Sequence, residues 1–325
     1  MKAVLCKQYG LPDTLVVEDI PSLVPAAGQV IVSMRAAGVN FPDALIIQGK
    51  YQVKPAMPFS PGTELAGVVK ALGAEVRDIQ AGDAVIAYAG YGAYAEEVAV
   101  DARSCIPMPA GVDFKVAASF MMTYGTSYHA LKDRAQLKAG ETLLVLGAAG
   151  GVGSAAIELG KLMGARVIAA ASSADKLEAC RQLGADATIN YTSEDLREAV
   201  KRITAGKGVD VVYDPVGDKY AEPAMREMAW GGRYLVIGFA GGEIPKIALN
   251  LPLLKGFAIV GVFWGNFTRN EPQKHEANVQ DLLVWIAGGK LKPLVSAAYP
   301  LALAARALKD MMERKVKGKV VLVAG

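Results

Sequence analysis

The chain has 325 residues, enough for two domains that each bury a core of their own. Hydrophobic residues make up 52% and charged residues 21%, and the net charge is only +3 with no basic run, which excludes nucleic-acid binding through a strong electrostatic footprint. No stretch is long and apolar enough to span a membrane, and Met1-Lys2-Ala3-Val4-Leu5 lacks the apolar core of a signal peptide. The three cysteines, Cys6, Cys105 and Cys180, are scattered and odd in number, so no disulfide framework is implied and a cytoplasmic protein is expected.

In chain order, the first residues read as a strand, and residues 1–120 are β-rich. Gln29 to Ala37, Ala66 to Leu72, Ala84 to Tyr88 and Ala93 to Val100 are strand patterns, punctuated by Gly10-Leu11-Pro12, Pro25, Pro58, Pro61-Gly62 and Gly82-Asp83. From 121 to 264 strands and helices alternate. Strands are predicted at Leu143–Leu146, Arg166–Ala171, Ala187–Ile189, Val209–Tyr213, Tyr234–Ile237 and Ala258–Val262. Helices are predicted at Ser154–Met163, Lys176–Leu183, Ser193–Thr204 (with Ser193 as N-cap) and Lys219–Met228. Such alternation predicts a doubly wound parallel sheet. Residues 278–287 and 302–313 read as amphipathic helices, and Lys319-Val320-Val321-Leu322-Val323 as a strand that returns to the first domain, because one strand cannot stand alone. The expected architecture is therefore α/β, a Rossmann domain (121–264) inserted into a β-rich catalytic domain (1–120 and 265–325).

The strongest local signal is the run T-L-L-V-L-G-A-A-G-G-V-G-S from Thr142. A buried strand runs into glycines and then into a small-residue helix, the opening turn of a dinucleotide-binding unit. Gly147, Gly150 and Gly151 suit a tight turn and close approach to a pyrophosphate, and Gly153 suits close packing of helix on strand. The first N–H groups of that helix, around Val152, face the phosphates with the positive end of the helix dipole. About 20 positions on, where NAD-binding units carry an acidic residue, stand Ser172, Ser173 and then Lys176. Hydroxyls and an ammonium accept a 2′-phosphate that a carboxylate would repel, so NADPH is expected over NADH. Two other readings stay open: Ser173 or Asp175 caps the next helix, or Asp175 is itself the ribose ligand.

With the glycine turn, the stretches A-A-G-V-N-F-P-D (36–43), G-T-E-L-A-G-V-V (62–69), A-G-D-A-V (81–85) and G-K-V-V-L (318–322) resemble the medium-chain dehydrogenase/reductase superfamily over essentially the whole chain. T-Y-G-T-S-Y (123–128) and S-S-x-x-K (172–176) are similar to its zinc-independent quinone oxidoreductases. The resemblance implies a GroES-like fold for the β-rich domain. Zinc-dependent relatives carry Cys where Asn40 stands and His where Thr63 stands, and Phe120 to Tyr124 contains no Cys. Only His129 and His275 remain as histidines, so no metal site is expected, and Glu64 is read as a structural hydrogen-bonding group.

Without a metal, a hydrogen-bond donor must meet the negative charge that hydride addition builds on the acceptor oxygen. Tyr51 is the first candidate, at a position where quinone oxidoreductases and enoyl thioester reductases of the superfamily carry a tyrosine; a packing role is the other reading. Asn40 is the second, and the resemblance puts it at the nicotinamide and its ribose. The resemblance also implies cofactor contacts from Thr126 (otherwise a helix N-cap), Tyr191, Gly238, Phe239 and Phe263, with Phe263 or Trp264 an apolar wall for a flat substrate. Asp214-Pro215-Val216-Gly217 reads as a turn.

The sequence thus points to an NADPH-dependent reductase of a quinone or other electron-poor conjugated carbonyl held between the domains. Its alternatives are an enoyl thioester reductase and a non-catalytic NADPH-binding structural or RNA-binding protein. The apolar edge strand at 258–264 predicts a homodimer.

Overall fold

The computed structural model describes residues 1–325. Seven strands come first: β1 (Lys2–Leu5), β2 (Val16–Asp19), β3 (Gln29–Gly38), β4 (Glu64–Leu72), β5 (Ala84–Tyr88), β6 (Glu97–Asp101) and β7 (Cys105–Pro107). Six follow: β8 (Thr142–Leu146), β9 (Arg166–Ala171), β10 (Ala187–Asn190), β11 (Val209–Asp214), β12 (Met228–Val236) and β13 (Ala258–Gly261). The last two are β14 (Val295–Pro300) and β15 (Lys319–Val323). The chain divides into two compact units, Met1–Met122 with Ile286–Gly325, and Thr123–Trp285.

The first unit holds a two-stranded sheet, β1-β2, and a seven-stranded sheet in the order β14-β15-β3-β4-β5-β7, with β6 also on β3. The closing strand returns as expected: Val321, Leu322 and Val323 of β15 lie antiparallel to Gly38, Ala37 and Ala36 of β3. The core is built from alternate residues of these strands, among them Val30, Val32, Met34, Leu65, Val85, Val98, Val320 and Leu322. The second unit holds one parallel six-stranded sheet in the order β10-β9-β8-β11-β12-β13. β8 and β9 carry near-continuous apolar runs, as strands buried on both faces do, and Leu143 to Leu146 and Val167 to Ala170 are fully buried. The strand order reverses between β8 and β11, the point at which doubly wound sheets bind ligands.

The second unit runs past the expected boundary at 264, to Trp285. Side-chain contacts explain the extension. His129 stacks on Phe267 at 3.8 Å, Lys132 reaches Asp281 at 2.8 Å, and Asn278 donates to Asp133 at 2.8 Å. Two local expectations also change. Asp195, not Ser193, caps the helix Leu196–Thr204, its carboxylate accepting from the Glu198 N–H at 3.0 Å. The helix expected over 219–228 is cut to Ala221–Arg226, because Met228 already pairs with Val209 in β12.

The turn after β8 shows why glycines stand where they do. Gly147 has φ of +57°, and a Cβ there would lie 2.8 Å from Val216 in the loop after β11. A Cβ on Gly153 would lie 2.5 Å from the Gly147 carbonyl oxygen and 2.8 Å from the Ala148 Cα. Both are backbone atoms that cannot swing aside, so the helix Gly151–Leu162 approaches β8 only through glycine. Gly153→Ala gains roughly 1 kcal/mol of helix propensity but overpacks this contact. It is expected to destabilise the second unit by about 1–2 kcal/mol net, read from the urea unfolding midpoint.

Candidate active site

In the first unit the chemistry gathers around Asn40. This residue precedes the helix Phe41–Ile46 with an extended backbone, φ −127° and ψ 153°. Its side chain turns away from the helix into a buried polar cluster. Asn40 Nδ2 donates to Glu64 Oε1 at 2.9 Å and to Thr63 Oγ1 at 3.2 Å. The Lys319 ammonium donates to Asn40 Oδ1 at 2.6 Å, to Glu64 Oε1 at 2.9 Å and to the Val39 carbonyl at 3.0 Å. Glu64 Oε2 accepts from the Met122 N–H at 2.9 Å. Glu64 therefore has the hydrogen-bonding role expected of it, in an ion pair with a lysine that sequence reasoning did not single out. Both hydrogens of the Asn40 amide are engaged within this cluster.

Asp43 stands in the first turn of the same helix and is fully buried. Its Oδ2 accepts from the Asn40 N–H and from the Tyr94 hydroxyl, each at 2.8 Å, while Oδ1 has no partner. Burial pushes this carboxyl up to about 7, against the opposing pull of those hydrogen bonds and of Lys319. Tyr51 is half-buried beside the same core. Burial, and then the negative charge of Asp43, raise its phenol above the usual tyrosine range. A phenol so placed is neutral and able to donate across the whole neutral range.

In the second unit, the residues singled out for the cofactor collect at one end of the parallel sheet. The glycine turn follows β8, with Gly150 at the N-cap of the helix and Gly151, Val152 and Gly153 as its first three residues. Their N–H groups lie in the first turn, where helix geometry leaves them without an intrahelical acceptor. Ser172 directly follows β9, and the Lys176 ammonium reaches its hydroxyl at 3.3 Å. Ser173 takes the N-cap position of the helix Ala174–Gln182 through its extended backbone rather than through a side-chain cap, its hydroxyl turning to Asp175. Thr192 ties the two loops together by donating to the Ser172 carbonyl at 3.0 Å.

Tyr191 follows β10 and its ring lies 4.4 Å from that of Tyr220, a neighbour the sequence reading missed. After β11, Asp214 Oδ1 accepts from the N–H groups of Val216 and Gly217 at 2.7 and 2.9 Å, the turn chemistry expected there. Gly238 and Phe239 follow β12, and the Phe239 ring packs over Gly217. Phe263 follows β13 and is half exposed, whereas Trp264 is buried against Gly125. Thr126 is no N-cap, because Gly125 before it is already helical, with φ −58° and ψ −47°. The glycine cradle that a Cβ would fill, the helix N-terminus and the hydroxyl–ammonium pair together fit a phosphorylated dinucleotide.

Because Asp43 binds its proton more tightly in the folded chain than in the unfolded one, it contributes stability at low pH that is lost as pH rises towards about 7. Asp43→Asn is expected to flatten the fall in stability between the ordinary carboxylate range and about pH 7, measured by urea unfolding across pH.

Residues 26–110 match the family described as Alcohol dehydrogenase GroES-like domain, and residues 151–281 the one described as Zinc-binding dehydrogenase. The chain is 39% identical to a quinone oxidoreductase-like protein 2 homolog of Nematostella vectensis, over 99% of this chain and 88% of that protein. It is similar to the crystal structure of a probable oxidoreductase from Mycobacterium abscessus, with a TM-score of 0.90, 39% identity and coverage of 99% and 98%. It is likewise similar to Escherichia coli quinone oxidoreductase complexed with NADPH, with a TM-score of 0.94, 30% identity and coverage of 99% and 100%. Full-length likeness at these identities, on a site of this composition, leaves one conclusion: the chain belongs to the quinone oxidoreductase family of the medium-chain dehydrogenase/reductase superfamily.

Proposed function

We propose that this protein is an NADPH-dependent reductase that transfers hydride to a quinone or another electron-poor conjugated carbonyl without zinc. The observation that carries the cofactor choice is the Ser172 hydroxyl held by Lys176 at the end of β9, where a 2′-phosphate finds donors. The NADPH complex of the Escherichia coli relative supports the same reading. NADPH supplies the hydride. The chain's own residues do the rest. The first-turn N–H groups of Gly151, Val152 and Gly153 bind the pyrophosphate, and Ser172, Ser173 and Lys176 bind the 2′-phosphate. Thr126, Tyr191, Gly238, Phe239 and Phe263 are assigned to the remaining cofactor contacts, and Asn40 to its nicotinamide end. Tyr51 donates a hydrogen bond to the acceptor oxygen as negative charge builds there.

Zinc independence is supported by chemistry at the positions where relatives hold the metal. Asn40 and Thr63 are hydrogen-bonded to each other, and the Lys319 ammonium lies 2.6 Å from Asn40 Oδ1, a fixed positive charge that opposes a dication. A homodimer through β13 is supported by its place at the sheet edge, its exposed face, the exposed Leu253 and Leu254 just before it in sequence, and the exposed Trp230 of the neighbouring strand β12.

NADPH oxidation measured across quinones, enones and enoyl thioesters, with chelator present, is expected to be fastest with quinones or enones. Turnover confined to enoyl thioesters, or none at all, rejects this function. Tyr51→Phe is expected to lower kcat for enones by about 10²–10³ and to affect easily reduced quinones less, with NADPH affinity unchanged. Equal, unaltered kcat for both acceptors returns Tyr51 to a packing role. Ser172→Asp is expected to reverse the preference between NADPH and NADH, measured by their Kd values. Light scattering is expected to give twice the monomer mass.

A further inference from the structure

Lys319 is the first residue of a strand that is otherwise apolar, K-V-V-L-V, and it is only 5% exposed. Its ammonium has three hydrogens and three acceptors: the Val39 carbonyl at 3.0 Å, Asn40 Oδ1 at 2.6 Å and Glu64 Oε1 at 2.9 Å. An ammonium only donates and a carboxylate only accepts. The Asn40 amide is held between the two, with its oxygen on the ammonium and its nitrogen on Glu64 Oε1 and Thr63 Oγ1. Turning the amide over would set NH2 against NH3⁺ and oxygen against carboxylate. One orientation survives, and in it both amide hydrogens are taken. What Asn40 has left to offer is a lone pair on Oδ1.

We propose that Lys319, together with Glu64, is a positioning residue that locks the Asn40 amide so that it meets its ligand only as a hydrogen-bond acceptor. The group it recognises is therefore a donor, of the kind that a nicotinamide nucleoside carries in its carboxamide N–H and ribose hydroxyls. The oxyanion of a reduced acceptor is repelled by the same lone pair. This divides the work: Asn40 orients the reactive end of the cofactor, and donation to the acceptor falls to Tyr51. The inference rests on the reading that Asn40 serves the nicotinamide end of NADPH.

The test compares two ligands on the full-length protein. NADPH carries the nicotinamide nucleoside, and 2′,5′-ADP carries the adenosine and the 2′-phosphate without it. The variant is Lys319→Met with Glu64→Gln, which removes both buried charges together and so leaves no unpaired ion. Its affinity for 2′,5′-ADP is expected to stay within about twofold of wild type, while its affinity for NADPH falls about tenfold, the equivalent of one hydrogen bond. Equal losses for both ligands, or no loss for NADPH, overturn the proposal. A wild-type protein that binds 2′,5′-ADP but gains nothing from the nicotinamide half rejects the reading of Asn40 itself and the lock with it.

A second readout needs no variant to fold. With ¹⁵N-labelled asparagine, the side-chain NH2 of Asn40 in the wild-type protein is expected to exchange both hydrogens slowly with solvent, without ligand and with NADPH bound. Rapid exchange of either hydrogen in the free protein overturns the lock.

Discussion

Lys319 and Glu64 lie 255 residues apart in sequence and 2.9 Å apart in the folded chain. Either charge alone, taken out of water, costs several kcal/mol, so each is tolerable only when the other is in place. The pairing therefore joins the last strand of the chain to the strand that begins at Glu64, and both to the residue that precedes the helix Phe41–Ile46. The polar cluster around Asn40 cannot be assembled from the N-terminal segment alone. It is complete only with Lys319 of β15, the strand that lies antiparallel to β3. The closing strand thus supplies a charged side chain as well as apolar ones.

The second unit depends on a different constraint, the approach of a helix to β8 through Gly153. That approach sets the N-terminus of the helix at the point where the strand order reverses, beside the loops after β9 and β11. β8 and β9 are buried apolar strands, and the glycine turn, Ser172 and Tyr191 stand in the loops that follow β8, β9 and β10. Rigid support and variable loops are the usual division in such folds.

Much of this could be read from the sequence because it depends on local pattern. The run L-L-V-L before G-A-A-G-G-V-G marks strand, turn and helix within a few residues, and β9 ends at Ala171 as its apolar run predicts. The closing strand was legible for the same reason. Lys319 was not, because a lysine beside V-V-L-V looks like an ordinary strand flank until a carboxylate far away in sequence is brought to it. Asp43 was hidden in the quoted stretch A-A-G-V-N-F-P-D, since its importance comes from complete burial and from Tyr94, neither of which has a local signature. Asp195 displaced Ser193 as a cap because both can cap a helix and only the path of the backbone decides between them. The second compact unit reaches beyond 264 because helices there carry partners for His129, Lys132 and Asp133, again a long-range matter.

The proposed reaction is a direct hydride transfer from NADPH to a conjugated carbonyl, with a protein hydroxyl and no metal at the acceptor oxygen. The most direct test uses NADPH carrying deuterium at C4, prepared separately in each of its two configurations, with a simple enone as acceptor and the product read by mass spectrometry and NMR. The account predicts that one of the two configurations delivers a single deuterium to the β-carbon of the product, in metal-free protein and in the presence of chelator. Product without deuterium from either configuration, or activity that returns only when zinc is added, would contradict it.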